Sequence, residues 1–256
     1  MKTPVSRLLL AIGPALLLLA ACGGGDDSLD DRLGVADPKT RFVHAVPAGP
    51  DLTLYRNDVA QADATGAGYK FASAYFDVET GVGNWRANTT TGNVEVGNAA
   101  IDAKRGHKYT LVALPNASSG AELLAIDDPF NKGIVSDNAR VRALNASFNA
   151  QNVDVYLNAP GTDIATVAPV FPALGYKTTQ PASGADSMDL EGGTYQLRIT
   201  APGTKTVIFN SPVTLDKNAD WLVLTVPGAI TPNAVRVLVV NADDPSRTTL
   251  ELQSQP

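Results

Sequence analysis

The chain carries one strand-forming pattern twice, about a hundred residues apart, and that repeat limits what it can fold into. Arg142-Ala143-Leu144-Asn145-Ala146 lies 101 positions after Arg41-Phe42-Val43-His44-Ala45. At the same offset Asn152-Val153-Asp154-Val155-Tyr156 falls on Asp51-Leu52-Thr53-Leu54-Tyr55, and Asn158 falls on Asn57, without a gap. Further on, Gly68-Tyr69-Lys70 matches Gly175-Tyr176-Lys177, and Lys108-Tyr109-Thr110-Leu111 matches Asp220-Trp221-Leu222-Val223. Asp127-Asp128-Pro129 matches Asp243-Asp244-Pro245. The offset grows through 107 and 112 to 116, as small loop insertions would make it grow. A period this long points to tandem domains, because solenoid repeats run to roughly 20–50 residues.

Each copy reads as short strands. Val153, Val155 and Leu157 alternate with Asp154 and Tyr156, the period of a half-buried strand, and Leu52 and Leu54 repeat it. Tyr195, Leu197 and Ile199 alternate with Gln196 and Arg198, and Trp85 opens the weaker counterpart. Further strands are predicted over 205–215, 220–226 and 234–240, and over 93–101, 107–113 and 121–126 in the first copy. Turn signals such as Gly192-Gly193, Pro202-Gly203, Pro227-Gly228 and Ser119-Gly120 separate them. Val and Thr are plentiful, with 22 Gly and 17 Pro, and no stretch carries a long amphipathic helix pattern. About seven strands per hundred residues predicts an all-β protein of two antiparallel, immunoglobulin-like sandwiches. The expected division is a leader over 1–21, a tether over 22–39, a first sandwich over 40–132 and a second over 138–256. The boundary falls near Asn131 to Asp137.

The N-terminus reads as an address. Lys2 and Arg7 precede an apolar run from Leu8 to Leu19, and Leu19-Ala20-Ala21-Cys22 closes it with small residues. The pattern resembles the lipobox of a bacterial lipoprotein signal peptide, which implies cleavage before Cys22 and acylation of that residue. Acyl chains would supply membrane affinity at about 0.8 kcal/mol per buried CH₂. Gly23-Gly24-Gly25-Asp26-Asp27 continues as an expected flexible acidic tether. The residue after Cys22 is not Asp, so outer-membrane placement in a Gram-negative envelope is the expectation, on its periplasmic or surface face.

Both copies resemble the domain-of-unknown-function family 4397. The resemblance rests on Arg140-Val141-Arg142-Ala143-Leu144-Asn145-Ala146-Ser147 followed by Asn152 to Tyr156, on the Gly192 to Arg198 strand, and on Thr214 to Trp221. It covers roughly residues 40–253, with the first copy more divergent. It implies a β-sandwich in an envelope setting and supplies no catalytic residues.

Chemistry is sparse. The formal charge of -6, about -8 without the leader, disfavours nucleic acid as a partner. Cys22 is the single cysteine, so no intrachain disulfide or multi-cysteine metal site is expected. No nucleophile elbow, zinc-protease helix or phosphate loop occurs. No catalytic residue and no cofactor is therefore assigned. His44 takes the place of Asn145, which favours a structural role at a strand end. His107 is expected in an exposed turn. Asp127, Asp128, Asp243 and Asp244 are weak metal or acid–base candidates, with turn formation the favoured role. Trp221 and Tyr195 are expected in the core. Tyr55 and Tyr156, pointing away from their apolar neighbours, are the best candidates for surface ligand binding. The leading expectation is a non-catalytic envelope lipoprotein that binds, adheres or spaces, with partners being the membrane and an envelope protein or glycan. A carbohydrate- or peptidoglycan-binding module is the alternative, and a hydrolase using paired Asp residues is a remoter one.

Overall fold

The computed structural model describes residues 35–118, 120–129, 136–229, 231–242, 246 and 249–255. The expected leader, Cys22, Asp243, Asp244 and most of the expected domain boundary lie outside the described residues.

The described chain is all-β. Residues 39–129 form β1 (Lys39–His44), β2 (Leu52–Arg56), β3 (Val59–Ala60), β4 (Phe76–Asp77), β5 (Gly81–Thr89), β6 (Glu95–Ala103), β7 (His107–Pro115) and β8 (Ala121–Pro129). Residues 138–252 form β9 (Asn138–Asn145), β10 (Asn152–Asn158), β11 (Phe171–Gly175), β12 (Thr179–Gln180), β13 (Met188–Glu191), β14 (Gly193–Thr200), β15 (Val207–Leu215), β16 (Asp220–Pro227), β17 (Val235–Asn241) and β18 (Leu250–Leu252). Among the described residues there is no α-helix, only two single 3₁₀ turns at Ala62–Ala64 and Ile164–Thr166.

Four sheets result. The first half contributes β4-β1-β7-β8 and β3-β2-β5-β6. The second contributes β12-β9-β16-β17-β18, with β13 also on β9, and β11-β10-β14-β15. Pairing is antiparallel except for β1 with β7 and β9 with β16. These two parallel pairs share one register. Lys39 faces Lys108 in the first, and Arg140 faces Asp220 in the second, which are the same positions at offsets of 101 and 112.

Each half closes its two sheets over an apolar core. Phe42, Leu52, Leu54, Trp85 and Leu111 fill the first. Val141, Val155, Phe171, Leu197 and Trp221 fill the second, with Tyr195 packed against it, as the alternation of those strands predicts. A third core lies between the halves, where Val43, Val112, Leu114 and Ile126 meet Leu144, Leu222, Leu224, Leu238 and Val240. The sheets holding β1 and β9 are therefore inner layers, buried on both faces. This is why Leu111 to Leu114 and Trp221 to Leu224 are continuous apolar runs rather than alternating ones.

The seam also holds charge. Asp128 accepts hydrogen bonds from Arg140 at 2.8 Å and Arg142 at 3.2 Å, and Arg140 reaches Asp220 at 3.4 Å. All four side chains are buried. Burial pushes the Asp220 carboxyl above its ordinary range, against the pull of Arg140. Burial works against the Arg140 charge as well, but Asp220 and Asp128 outweigh it and hold that guanidinium above its ordinary value. The Tyr75 ring lies beneath the Arg41 guanidinium at 4.7 Å and the Lys108 ammonium at 5.0 Å, and burial pushes its hydroxyl up to about 12. The loop 181–187 covers the edge of β8. Ser183 Oγ accepts from the Asp127 N–H at 2.8 Å, and the Gly184 N–H donates to the Asp127 carbonyl at 2.8 Å.

Candidate functional site

Two of the expected roles change here. Asp127 and Asp128 are not turn residues but lie inside β8, opposite Tyr109 and Lys108. Asp128 is committed to two arginines, and Asp127 Oδ1 lies 2.6 Å from His107 Nδ1, so His107 is a half-buried strand residue rather than an exposed turn. Among the described residues no group of three acidic, His or Cys side chains is placed to hold a metal. The register also corrects the Asp-Asp match. Tyr109 faces Asp127 while its equivalent Trp221 faces Asn241, so Asn241 and Ala242 stand where Asp127 and Asp128 stand in the first half.

His44 sits where the swap with Asn145 puts it. Its Nδ1 accepts from the Val46 N–H at 3.3 Å and its Nε2 lies 3.0 Å from the Pro50 carbonyl, which fixes the proton on Nε2. Asn145 does the same work: Oδ1 accepts from the Ser147 N–H at 2.9 Å, and Nδ2 donates to the Ala150 carbonyl at 2.8 Å. His44 also borders an apolar hollow of about 480 Å³, with Val46, Pro47, Pro50, Leu52 and Phe148. In the second half the position of Ala48 is Asn149, whose amide ties down the longer β16–β17 hairpin through the carbonyls of Ala229, Thr231 and Ala234.

The two tyrosines lead to the site. Alternation along β2, β5 and β6 sends Leu54, Trp85 and Ala87 inward and leaves Tyr55, Arg86 and Asn98 outward. These three stand in one cross-strand row, Tyr55 facing Arg86 and Arg86 facing Asn98. The second half repeats the row residue for residue, Tyr156 facing Arg198 and Arg198 facing Asn210. Beside each arginine stands a primary amide, Asn84 in one half and Gln196 in the other. An open cleft lies over the arginine and asparagine of each row, beside the tyrosine: about 420 Å³ along Asn84, Arg86 and Asn98, and about 630 Å³ along Gln196, Arg198 and Asn210.

The clefts differ in how they treat the ring and the charge. Tyr55 is half-buried beneath the Arg86 guanidinium, 5.0 Å from its centroid. Tyr156 is only 1 % exposed, so it is not the surface residue that the alternation suggested. It does point away from the core, but Lys205 covers its ring at 4.9 Å and donates to its hydroxyl at 3.2 Å. Lys205 comes from the β14–β15 turn, and the 159–170 connection, where the first half has the two-residue turn Asn57-Asp58, holds it there through the Val167 carbonyl at 2.6 Å. The offset grows from 101 to 107 across this region, so the insertion was visible and its effect on Tyr156 was not.

In the first cleft Arg86 is paired with Asp58, and the Asn98 amide donates to Glu95 at 2.7 Å. In the second, Arg198 Nη1 donates to the Thr162 carbonyl at 2.9 Å, while its Nε and Nη2 are shielded and have no acceptor among the described residues. Arg86, Arg198, Asn98 and Asn210 were missed in the sequence because Arg86 and Asn98, the counterparts of Arg198 and Asn210, sit in the loosely aligned stretch of the first copy. The offset of 112 already seen at Lys108 and Asp220 aligns all four when carried back.

No curated protein matches the chain. A solved structure described as "Alpha-glucan recognition by family 41 carbohydrate-binding modules from streptococcal virulence factors" is similar at 12 % identity over 82 % of this chain and 99 % of that one, with a TM-score of 0.27. At that score the likeness bears on neither fold nor ligand. The match to a family model takes in the copy that looks more divergent by eye and ends within β10: residues 38–156 fit the family described as "Domain of unknown function (DUF4397)", the one that the sequence resembles.

Proposed function

We propose that this is a non-catalytic binding protein of the bacterial cell envelope, held at a membrane by lipid on Cys22, whose outer sheet faces take a hydroxyl-rich ligand of the glycan class. The observation that carries this reading is the Tyr–Arg–Asn row with its neighbouring amide, present at the same register in both halves. A strand needs only alternation to fold, and alternation does not specify an arginine flanked by amides on the solvent side. Primary amides offer a donor and an acceptor side by side, and a guanidinium offers a planar fork of donors; together they suit adjacent hydroxyls and carboxylates. The three apolar cores, one of them between the halves, favour a stiff body that also spaces its sites from the membrane.

A glycan array probed with the full chain tests this. Saturable binding that disappears in the Arg86→Ala/Arg198→Ala double variant is the expected result, and equal binding by both proteins would sink the reading. Anchoring has its own test: Cys22→Ala is expected to move the protein from the membrane fraction to the soluble fraction, and unchanged membrane retention would refute lipid attachment there.

A further inference from the structure

The two clefts share their basic residue but not their acids. In the first, Asp58 supplies a carboxylate to Arg86 and Glu95 supplies another to Asn98. The equivalent positions in the second half are Ala159 and Val207, neither of which can accept a hydrogen bond through its side chain. The nearby Asp163 carboxylate accepts from the Ala165 N–H at 2.9 Å, and Asp154 from the N–H groups of Ala173 and Gly203. Among the described residues no carboxylate therefore lies within salt-bridge distance of Arg198, and Lys205, over the adjacent Tyr156, donates to a hydroxyl and a carbonyl.

Resting on the glycan reading above, we infer that the second cleft binds a saccharide carboxylate, a uronic acid residue, whose carboxylate takes the place at Arg198 that Asp58 takes at Arg86. A half-buried guanidinium with two unpaired nitrogens is stabilised most by an acceptor that is ionised and bidentate. The amides of Gln196 and Asn210 lie beside it for the ring hydroxyls. Arg198 Nε and Nη2 are shielded, so the ligand must move a cover aside. Ser254 and Gln255 border the cleft and are exposed, and this segment is pinned at Asn210 by two hydrogen bonds. The first cleft, with its arginine already neutralised by Asp58, is closed to the same ligand.

Calorimetric titration of the full chain with a galacturonic acid trimer, its methyl ester and a neutral glucose trimer tests the inference. The expected result is one site for the acid, with ester and neutral sugar weaker by at least about thirtyfold, the loss typical of removing one partner of a charged pair. Arg198→Gln should abolish the acid's binding. Asp58→Gly, at a side chain 81 % exposed and a backbone φ of 68° that glycine accommodates, should raise the stoichiometry from one to two by freeing Arg86. Equal binding of all three sugars would leave the glycan reading standing and overturn this inference. Binding of none would overturn both. An unchanged stoichiometry in Asp58→Gly would refute the part assigned to Asp58, and that variant decides the matter if Arg198→Gln fails to fold.

Discussion

His44 and Asn145 show how far a single residue can be read. Both end a strand, both accept from the N–H two residues on, and both donate to a carbonyl further along. Only the imidazole titrates. Burial lowers the His44 pKa below its usual 6.5, the backbone carbonyl of Pro50 pulling the other way. The unfolded chain then binds a proton at this side chain more readily than the folded one. Stability from His44 is thus complete above about pH 6.5 and is lost as pH falls from there toward the folded pKa. His44→Asn, which installs the other half's solution, is expected to keep the fold at pH 7 within about 1 kcal/mol and to flatten the fall in stability below pH 6.5. Chemical unfolding at a series of pH values checks this, and a slope equal in both proteins would contradict it. The role of His44 was legible because the repeat supplied its replacement. That of Arg198 was not, because an unmet acceptor is a fact about neighbours.

At the scale of the element, β10 carries its inward face openly and its outward face covertly. Val153, Val155 and Leu157 go to the core as their spacing predicts. Asp154 reads as a solvent residue by the same spacing, yet it is buried and accepts from the Ala173 N–H at 2.6 Å and the Gly203 N–H at 2.8 Å. It thereby ties the β14–β15 turn and the irregular β11 strand to β10. Thr53, its counterpart on β2, makes a weaker version with the Gly66 N–H at 3.3 Å. Asp154→Ala is expected to cost about 2 kcal/mol by leaving two donors without an acceptor. Asp154→Thr should recover part of that loss, and the two denaturation midpoints give the comparison. Sequence periodicity finds which face of a strand is inward. It says nothing of what a distant turn lays over the outward face, and so Tyr156 was read as exposed.

The whole molecule turns on the seam between the halves, the feature least visible in the sequence. The strand count and the repeat prescribe two sandwiches, and each could have been solvated on its outer faces. The contact is instead recorded in the residues of β1 and β9 that a one-sided strand would not need. Arg41, Arg140 and Arg142 sit among apolar neighbours and are buried. Charge is seldom buried without a partner. The carboxylates that meet Arg140 and Arg142 come from across the seam and from β16, and Arg41 donates to Thr110 on β7, all over separations that no local pattern encodes. Asp128 is the pivot, because it alone among the described carboxylates serves two arginines from the other half. Asp128→Ala removes the acceptor and leaves the two buried guanidinium groups to Asp220 and to the carbonyls of Pro181, Ala182 and Ala185. Breaking a buried ion network from one side costs about 3–5 kcal/mol, more than the network contributes when intact. The loss falls on the contact between halves rather than on either sandwich core. Calorimetry should therefore record one cooperative transition for the wild type and a lower, broader one for Asp128→Ala, with a van't Hoff enthalpy below the calorimetric enthalpy as the halves uncouple. If the variant melted in a single sharp transition near the wild-type temperature, the apolar residues of the seam alone would be holding the halves together.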